Sequence, residues 1–453
     1  MTGSVISRLI SRRSERRAYR PTACPGIRAG GLHQEIAAVR MRKLDLAFVR
    51  NQFPAFFEPP LEALSFFENA GGSYICAPVL DRLARFHHQR KVQPYGSFEA
   101  SRLGGAEMDE ARTRIAALLN VGGDELHFGP STSQNTYVLA QAFGEMLGRG
   151  DAIVVTNQDH EANSGAWWRL ARRGIEIREW QVDPQTGALD PVALAGLLDD
   201  GKVRLVCFPH CSNILGEINP VTDLCTMARE SGAWSCVDGV SYAPHGFADV
   251  SALGADIYLF SSYKTYGPHL GVMVIRRALA GTLPAQGHDF NAGDITKRFT
   301  PAGPDHAQIA AATGMADYVD LLHERHFGEP GQPAVSAAER AWDVHGLMRG
   351  HEMRITAPLL DFLAARNDIR LLGPSDALVR APTVSLLHRR PGAELAEALE
   401  PYGIMAGGGD FYAVRLLRAL GIDPAHGVLR LSFTHYTSQA DVERLMAALD
   451  AVL

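Results

Sequence analysis

Residues 257–271 read IYLFSSYKTYGPHLG, a short apolar run that ends in two serines, a tyrosine and Lys264, followed by a Gly-Pro turn. The run has the length and composition of a buried strand. A lysine just past such a strand sits where the chain leaves the core. In a partly desolvated site it loses its proton readily and can form an imine with a carbonyl compound.

Working outward, similar runs recur on both sides. They are LHF (Leu126–Phe128), AIVVTN (Ala152–Asn157), IEIREWQV from Ile175, VRLVCF from Val203, WSCVD from Trp234 and GVMVI from Gly271. Helical patterns lie between most of them, including EMDEARTRIAALLN from Glu107 and a segment from about Ser133 to Leu147. Strands alternating with helical crossovers predict a largely parallel α/β sheet. Ligands of such sheets bind beyond the carboxyl ends of the strands. After Pro304 the pattern changes to long helices (Ala307–His323, Ala334–Arg366), short strands near Ile369–Leu372 and Thr383–Leu387, and a last helix from Ser438. The expected organisation is a basic, disordered extension over 1–40 and a segment 41–75 packing on the small domain. A large domain over 76–305 and a smaller α+β domain over 306–453 follow.

The strand ends carry polar groups that belong together. After Phe128, Thr132 and Ser133 open a helix, where hydroxyls and free N–H groups make a phosphate cradle. His160 and Asn163 follow the Ala152 strand, PHCSNILG follows the Val203 strand, and Asp238 ends the Trp234 strand. Singly, each has an ordinary explanation as a cap or turn residue. Jointly they match one cofactor, pyridoxal 5′-phosphate: a lysine for the imine, a carboxylate to keep the pyridine nitrogen protonated, and hydroxyls for the phosphate.

With FENAGGSY, DHEAN, HCSNILG, VDGVSYAPHGFADVSALGAD, SSYKTYGPHLGV and LRLSFTHYTSQADVERLM in this order, the chain resembles the class V aminotransferases of the fold-type I pyridoxal phosphate enzymes. The similarity is greatest to their cysteine desulfurase and selenocysteine lyase-like branch, and it runs from about Leu64 to the C-terminus. It implies a mainly parallel sheet flanked by helices plus a smaller C-terminal α+β domain, and a homodimer. It also implies that Lys264 is the Schiff-base lysine, that Asp238 partners the pyridinium nitrogen and that His160 stacks over the ring. Thr132, Ser133 and Ser261 would hold the phosphate. Asn213 would lie beside the cofactor and Ser241 near its ring hydroxyl. Arg430 would grip the substrate carboxylate by a bidentate contact, with Asn69 also on the substrate side.

Four positions depart from the family pattern. Tyr263 stands where desulfurases have His, and Gly303 where a neighbouring subunit lends a threonine to the phosphate. Gly407 stands where many have a second carboxylate-binding arginine. Tyr412 stands where the sulfur-accepting cysteine belongs, and no cysteine follows Cys236. The three glycines at 407–409 suggest a mobile loop or one that approaches a ligand closely.

The implied activity is pyridoxal phosphate chemistry at the Cα or Cβ of a small L-amino acid, of C–S lyase or desulfurase type. The alternatives are a class V aminotransferase, an amino-acid epimerase, or a cofactor-binding structural subunit without activity. A nucleotide-binding protein is disfavoured because no GxGxxG or GxxxxGK[ST] turn follows a strand.

Charge and cysteine usage narrow the partners. Residues 1–40 hold eight arginines and two glutamates, +6, against −6 for all 453 residues, so the remainder sums to −12. An acidic body argues against nucleic acid, whose binding rests on Lys and Arg contacts. No run approaches the ~20 apolar residues of a membrane helix. The six cysteines lack a CxxC pair, which fits a reducing compartment and no metal site, and Cys207 and Cys236 are expected to be buried structural thiols. A cytoplasmic location is expected. The Arg- and Ser-rich lead, whose composition resembles a transit peptide, leaves organelle targeting open.

Overall fold

A computed structural model describes residues 42–329 and 334–453; the expectation for 1–40 lies outside the described residues. Seven β-branched and aromatic runs form the large sheet. They are β1 (Leu126–Gly129), β2 (Ala152–Thr156), β3 (Glu176–Trp180), β4 (Val203–Pro209), β5 (Trp234–Asp238), β6 (Ile257–Ser261) and β7 (Gly271–Ile275), in spatial order β1-β7-β6-β5-β4-β2-β3. Every pair between β6 and β3 is parallel, whereas β7 is antiparallel to both β6 and β1. The reason is chain length. Only nine residues join β6 to β7, and a parallel return needs a crossover of a dozen or more.

Side chains alternate across this sheet with the two-residue period of a strand. Val154, Val206, Val237 and Phe260 enter one apolar cluster, and Ile153, Leu205, Cys207, Cys236 and Leu259 enter the other. A sheet buried on both faces explains why its strands read as continuous apolar runs. From β2 the chain moves outward to edge strand β3, and from β4 it moves the opposite way to β5. The carboxyl ends of β2 and β4 therefore flank a topological switch point, the natural crevice of an open α/β sheet.

A second sheet contains β8 (Ile369–Leu372), β9 (Thr383–His388), β10 (Gly407–Gly409) and β11 (Val428–Ser432), in order β10-β11-β9-β8 and all antiparallel. The glycine run, expected to be mobile or to approach a ligand closely, is a strand. At Gly408 there is no room for a side chain, since a Cβ would lie 2.0 Å from the Gly392 carbonyl oxygen. Helix Gln439–Val452, started by a Ser438/Asp441 capping box, covers this sheet together with helices Gly392–Leu399 and Ala337–Ala364.

Helices His306–Ala311 and Thr313–Phe327 pack against Ala77–Gln89 and Glu99–Leu118, beside the large sheet. The 28-residue helix Ala337–Ala364 contributes Val344, Leu347 and Met348 to that core, and Ile355, Leu359 and Leu363 to the core of the small sheet. We propose that the division between the two bodies, defined by packing, falls within this helix. The chain before residue 76 touches both: Phe53 joins the first core and Phe67 the second. Ser65–Phe66 pairs in parallel with Ile404–Met405, and Glu68 bridges to Ser432. This pairing brings the FENAGGSY segment beside β11.

No helix among the described residues is long and apolar enough to cross a membrane.

Candidate active site

A cleft opens over the carboxyl ends of β2, β4, β5 and β6. Thr132, Ser133, His160, Asn213, Asp238, Ser241, Ser261 and Lys264 all line it. Asn69 lines a smaller adjoining cavity together with Lys264 and Ser241. Arg430 lies behind this wall.

At one end, helix Thr132–Met146 begins with Ser131 as its cap, the Ser131 Oγ accepting from Gln134 N at 3.2 Å. The Thr132 Oγ1 is 2.8 Å from Ser261 Oγ. Gly271 permits the helix start to rest on β7, since a Cβ there would lie 2.5 Å from Thr132 N. Unsatisfied N–H groups, the positive end of the helix dipole and two hydroxyls together favour a phosphate-sized anion.

Asp238 is buried and accepts one hydrogen bond, from Val240 N at 2.8 Å. Burial pushes its pKa up to about 6, against the lowering effects of that bond and of Lys264. A buried carboxyl in this state is suited to a partner that brings its own proton. Asp159, also buried, receives a 2.8 Å bond from Asn163 Nδ2 on one oxygen and leaves the other without a partner. Burial, then the Asp238 charge, hold its pKa well above the ordinary carboxylate range.

Lys264 has its pKa lowered to about 8, first by burial and then by Arg430, with Asp238 and Glu68 opposing. Ser73 fixes the turn on either side of it: its Oγ donates to Tyr263 O at 3.1 Å and accepts from Tyr266 N at 2.6 Å. Tyr263 stacks on His269 with centroids 4.6 Å apart. His160 Nδ1 accepts from Ala162 N at 3.0 Å, which leaves the ring proton on Nε2. Burial first, then Lys264 and Arg430, drive its pKa down to about 3, so the ring is neutral.

Arg430, in β11 opposite Gly407, is buried. Its Nη2 donates to Glu68 Oε1 at 2.8 Å and its Nη1 to Asn213 O at 3.3 Å, and the Phe411 ring lies 3.8 Å from the guanidinium carbon. Phe411 and Tyr412 both adopt left-handed backbone, φ 50° and 57°. Asn213 Nδ2 donates to Phe411 O at 3.0 Å and Glu161 N to Tyr412 O at 2.9 Å, so this loop is tied down onto the cleft. The Tyr412 ring is 5.4 Å from His160. Asn69 is buried, with its Oδ1 accepting from the Tyr436 hydroxyl.

Glu68, Ser73, Asp159 and Phe411 were not singled out from sequence. Glu68, Ser73 and Asp159 lie inside quoted motifs, where a charge or hydroxyl beside an expected site residue was the available signal. Phe411 had none, because only the fold brings it to Arg430. The thiols of Cys207 and Cys236 are buried, as their apolar surroundings led us to expect.

A family model described as aminotransferase class-V matches residues 65–322 and 341–445. The aminotransferase-like protein FGM3 of Gibberella zeae is 34% identical over 421 residues, covering 89% of this chain and 98% of its own length. A cysteine desulfurase of Serratia proteamaculans is 27% identical over 423 residues, covering 89% and 97%. Among solved structures, the apo cysteine desulfurase of Thermococcus onnurineus NA1 matches with a TM-score of 0.77 at 24% identity, over 90% of this chain and 98% of that one. That likeness concerns the fold.

Proposed function

The chain belongs to the class V aminotransferase family, pyridoxal phosphate-dependent enzymes of fold-type I, and from that premise we propose that it acts at the Cα or Cβ of a small L-amino acid. The observation that carries this reading is the convergence of eight expected residues on one cleft, with Lys264 held at a pKa near 8 and Asp238 near 6.

The residues present fit the cofactor. The Thr132 and Ser261 hydroxyls and the N–H groups that open the helix suit its phosphate. Asp238, costly as a lone buried anion, suits a protonated ring nitrogen. His160, neutral and held through Nδ1, suits a face-to-face contact with the ring. Pyridoxal phosphate, when bound, supplies an electron sink for charge left at the substrate's Cα.

The chain's own groups do the rest. Lys264, which lines the cleft, would hold the cofactor and would take the substrate's Cα proton on Nζ. A pKa near 8 leaves part of it uncharged at neutral pH for that task. Arg430 would receive the substrate carboxylate.

The end of the reaction is read from the thiols. Tyr412 occupies the loop beside His160, and no cysteine follows Cys236. Cys211 lines the cleft, but its Sγ donates to Gly216 O at 3.3 Å and burial raises its pKa to about 12. Among the described residues no thiol at the cleft is a ready sulfur acceptor, which favours direct C–S lysis over sulfur transfer to the protein. A second reading, transamination, is supported by the aminotransferase-like description of the 34% identical relative. We further propose a homodimer working in the cytoplasm.

The test is a product assay with cysteine, cysteine sulfinate and alanine. Sulfide with pyruvate marks lysis, sulfide with alanine in the presence of an added dithiol reductant marks desulfuration, and conversion of the cofactor to its amine form marks transamination. The wild type should be yellow and Lys264→Ala should lose the visible band. A colourless wild type that takes up no added pyridoxal phosphate overturns the reading.

A further inference from the structure

Arg430 already holds a carboxylate, and it belongs to the protein. Glu68 Oε1 accepts a hydrogen bond from Nη2 at 2.8 Å, while Arg430 Nε and Glu68 Oε2 are buried without a partner. Two glycines house this carboxylate. A Cβ at Gly71 would lie 2.6 Å from Oε1, and one at Gly407 would lie 2.6 Å from Oε2. The two partners are unequally fixed. The Arg430 side chain is 4% exposed and covered by Phe411, whereas that of Glu68 is 29% exposed. Glu68 is therefore the member of the pair able to leave. Arg430 Nη1 also donates to the carbonyl of Asn213, which lines the cleft, so the pair adjoins the cleft wall.

We propose that Glu68 is a specificity-determining residue, an internal competitor for the carboxylate seat on Arg430 that makes the site accept neutral monocarboxylate amino acids and reject dicarboxylates. The proposal rests on the reading of Arg430 as the substrate's carboxylate partner. A ligand carboxylate binds by exchange, taking Nη2 and displacing Glu68 Oε1. Glu68 then remains nearby as an unpaired anion, with both oxygens short of donors. A hydrogen-bond donor or an uncharged group on the ligand is tolerated beside it. A second ligand carboxylate meets like charge in a poorly solvated place, which is strongly unfavourable.

The experiment measures binding of propionate and succinate to the holoenzyme by calorimetry, in the wild type and in Glu68→Gln, Glu68→Ala and Arg430→Met. Thermal melts confirm that each variant is folded. Both Glu68 variants should bind propionate at least about tenfold more tightly, the scale of one charged hydrogen bond no longer in competition. Succinate should gain more than propionate. Unchanged affinities in both Glu68 variants, with propionate binding lost in Arg430→Met, would overturn the role of Glu68 and leave the Arg430 reading intact. Propionate binding that survives in Arg430→Met would overturn the Arg430 reading, and the competitor with it.

Discussion

The Thr132 Oγ1 and Ser261 Oγ atoms are 2.8 Å apart, although 129 residues separate them in the chain. The contact joins the first turn of a helix to the last residue of a central strand. Both residues line the cleft. Their side chains are buried, and Ser261 also shares a side-chain hydrogen bond with Tyr263.

Thr132→Val keeps the shape and removes the hydroxyl. Losing the bond to Ser261 should cost about 0.5–1.5 kcal/mol of stability in the cofactor-free protein. The dissociation constant for pyridoxal phosphate should rise at least about tenfold. Pyridoxal, which lacks the phosphate, should bind both forms alike. Equal loss for the two ligands would place the effect outside the phosphate cradle.

Asp238 and Lys264 should leave opposite marks on stability against pH, and each sign follows from its shift. Burial raises the Asp238 pKa from 3.8 to about 6. Its contribution is therefore complete below about pH 4 and is lost as pH rises through 6. Asp238→Asn should match the wild type near pH 4 and exceed it above pH 6 by up to about 3 kcal/mol, from roughly two units at 1.36 kcal/mol each. The measurement is a series of melts on cofactor-free protein. The same variant should bind pyridoxal phosphate far more weakly. Parallel stability curves from pH 4 to 8 would show that Asp238 is not desolvated as described.

For Lys264 the pKa falls from 10.5 to about 8. Stability from this group is present above pH 10.5 and lost as pH falls through 8. Lys264→Met should therefore be more stable than the wild type at pH 6–7, with the advantage shrinking toward pH 10. An advantage that instead grew with pH would mean that the ammonium is stabilised in the fold, against the burial that dominates its shift.

The large sheet was legible because its strands bury both faces and read as unbroken apolar runs. WSCVD and GVMVI coincide with β5 and β7, and the other strands end within two residues of their readings. The antiparallel β7 was legible too, in the short linker before it, but that feature was not used. Strand β10 was hidden because three glycines carry no pattern; its identity comes from pairing with β11 and from Gly392 pressing on it. At the site, residues that follow strands could be read one by one, since the fold places the carboxyl ends of β1 to β6 at one edge. Glu68 was not, since its meaning depends on a parallel pairing between residues 65–66 and 404–405 that no local pattern announces. Asp159 was missed because a carboxyl next to a histidine looks like a turn until burial beside Asp238 is seen.

The loop over the cleft offers a last check on how the site is built. Phe411 and Tyr412 are consecutive left-handed residues, a conformation that costs a side chain roughly 1–2 kcal/mol each relative to glycine. Phe411 recovers that cost through its contact with Arg430, but Tyr412 is 71% exposed and touches His160 only loosely. The loop is held mainly by its backbone, through Asn213 Nδ2 and Glu161 N, and those bonds do not depend on the Tyr412 side chain. Tyr412→Gly should therefore raise stability by about 1 kcal/mol, read as a higher urea midpoint, partly offset by the entropy that glycine adds to the unfolded chain. Phe411→Gly should lower it, because relief of strain cannot replace a ring stacked on a buried guanidinium. If Tyr412→Gly is instead the more destabilising of the two, the tyrosine ring and not the backbone holds the loop.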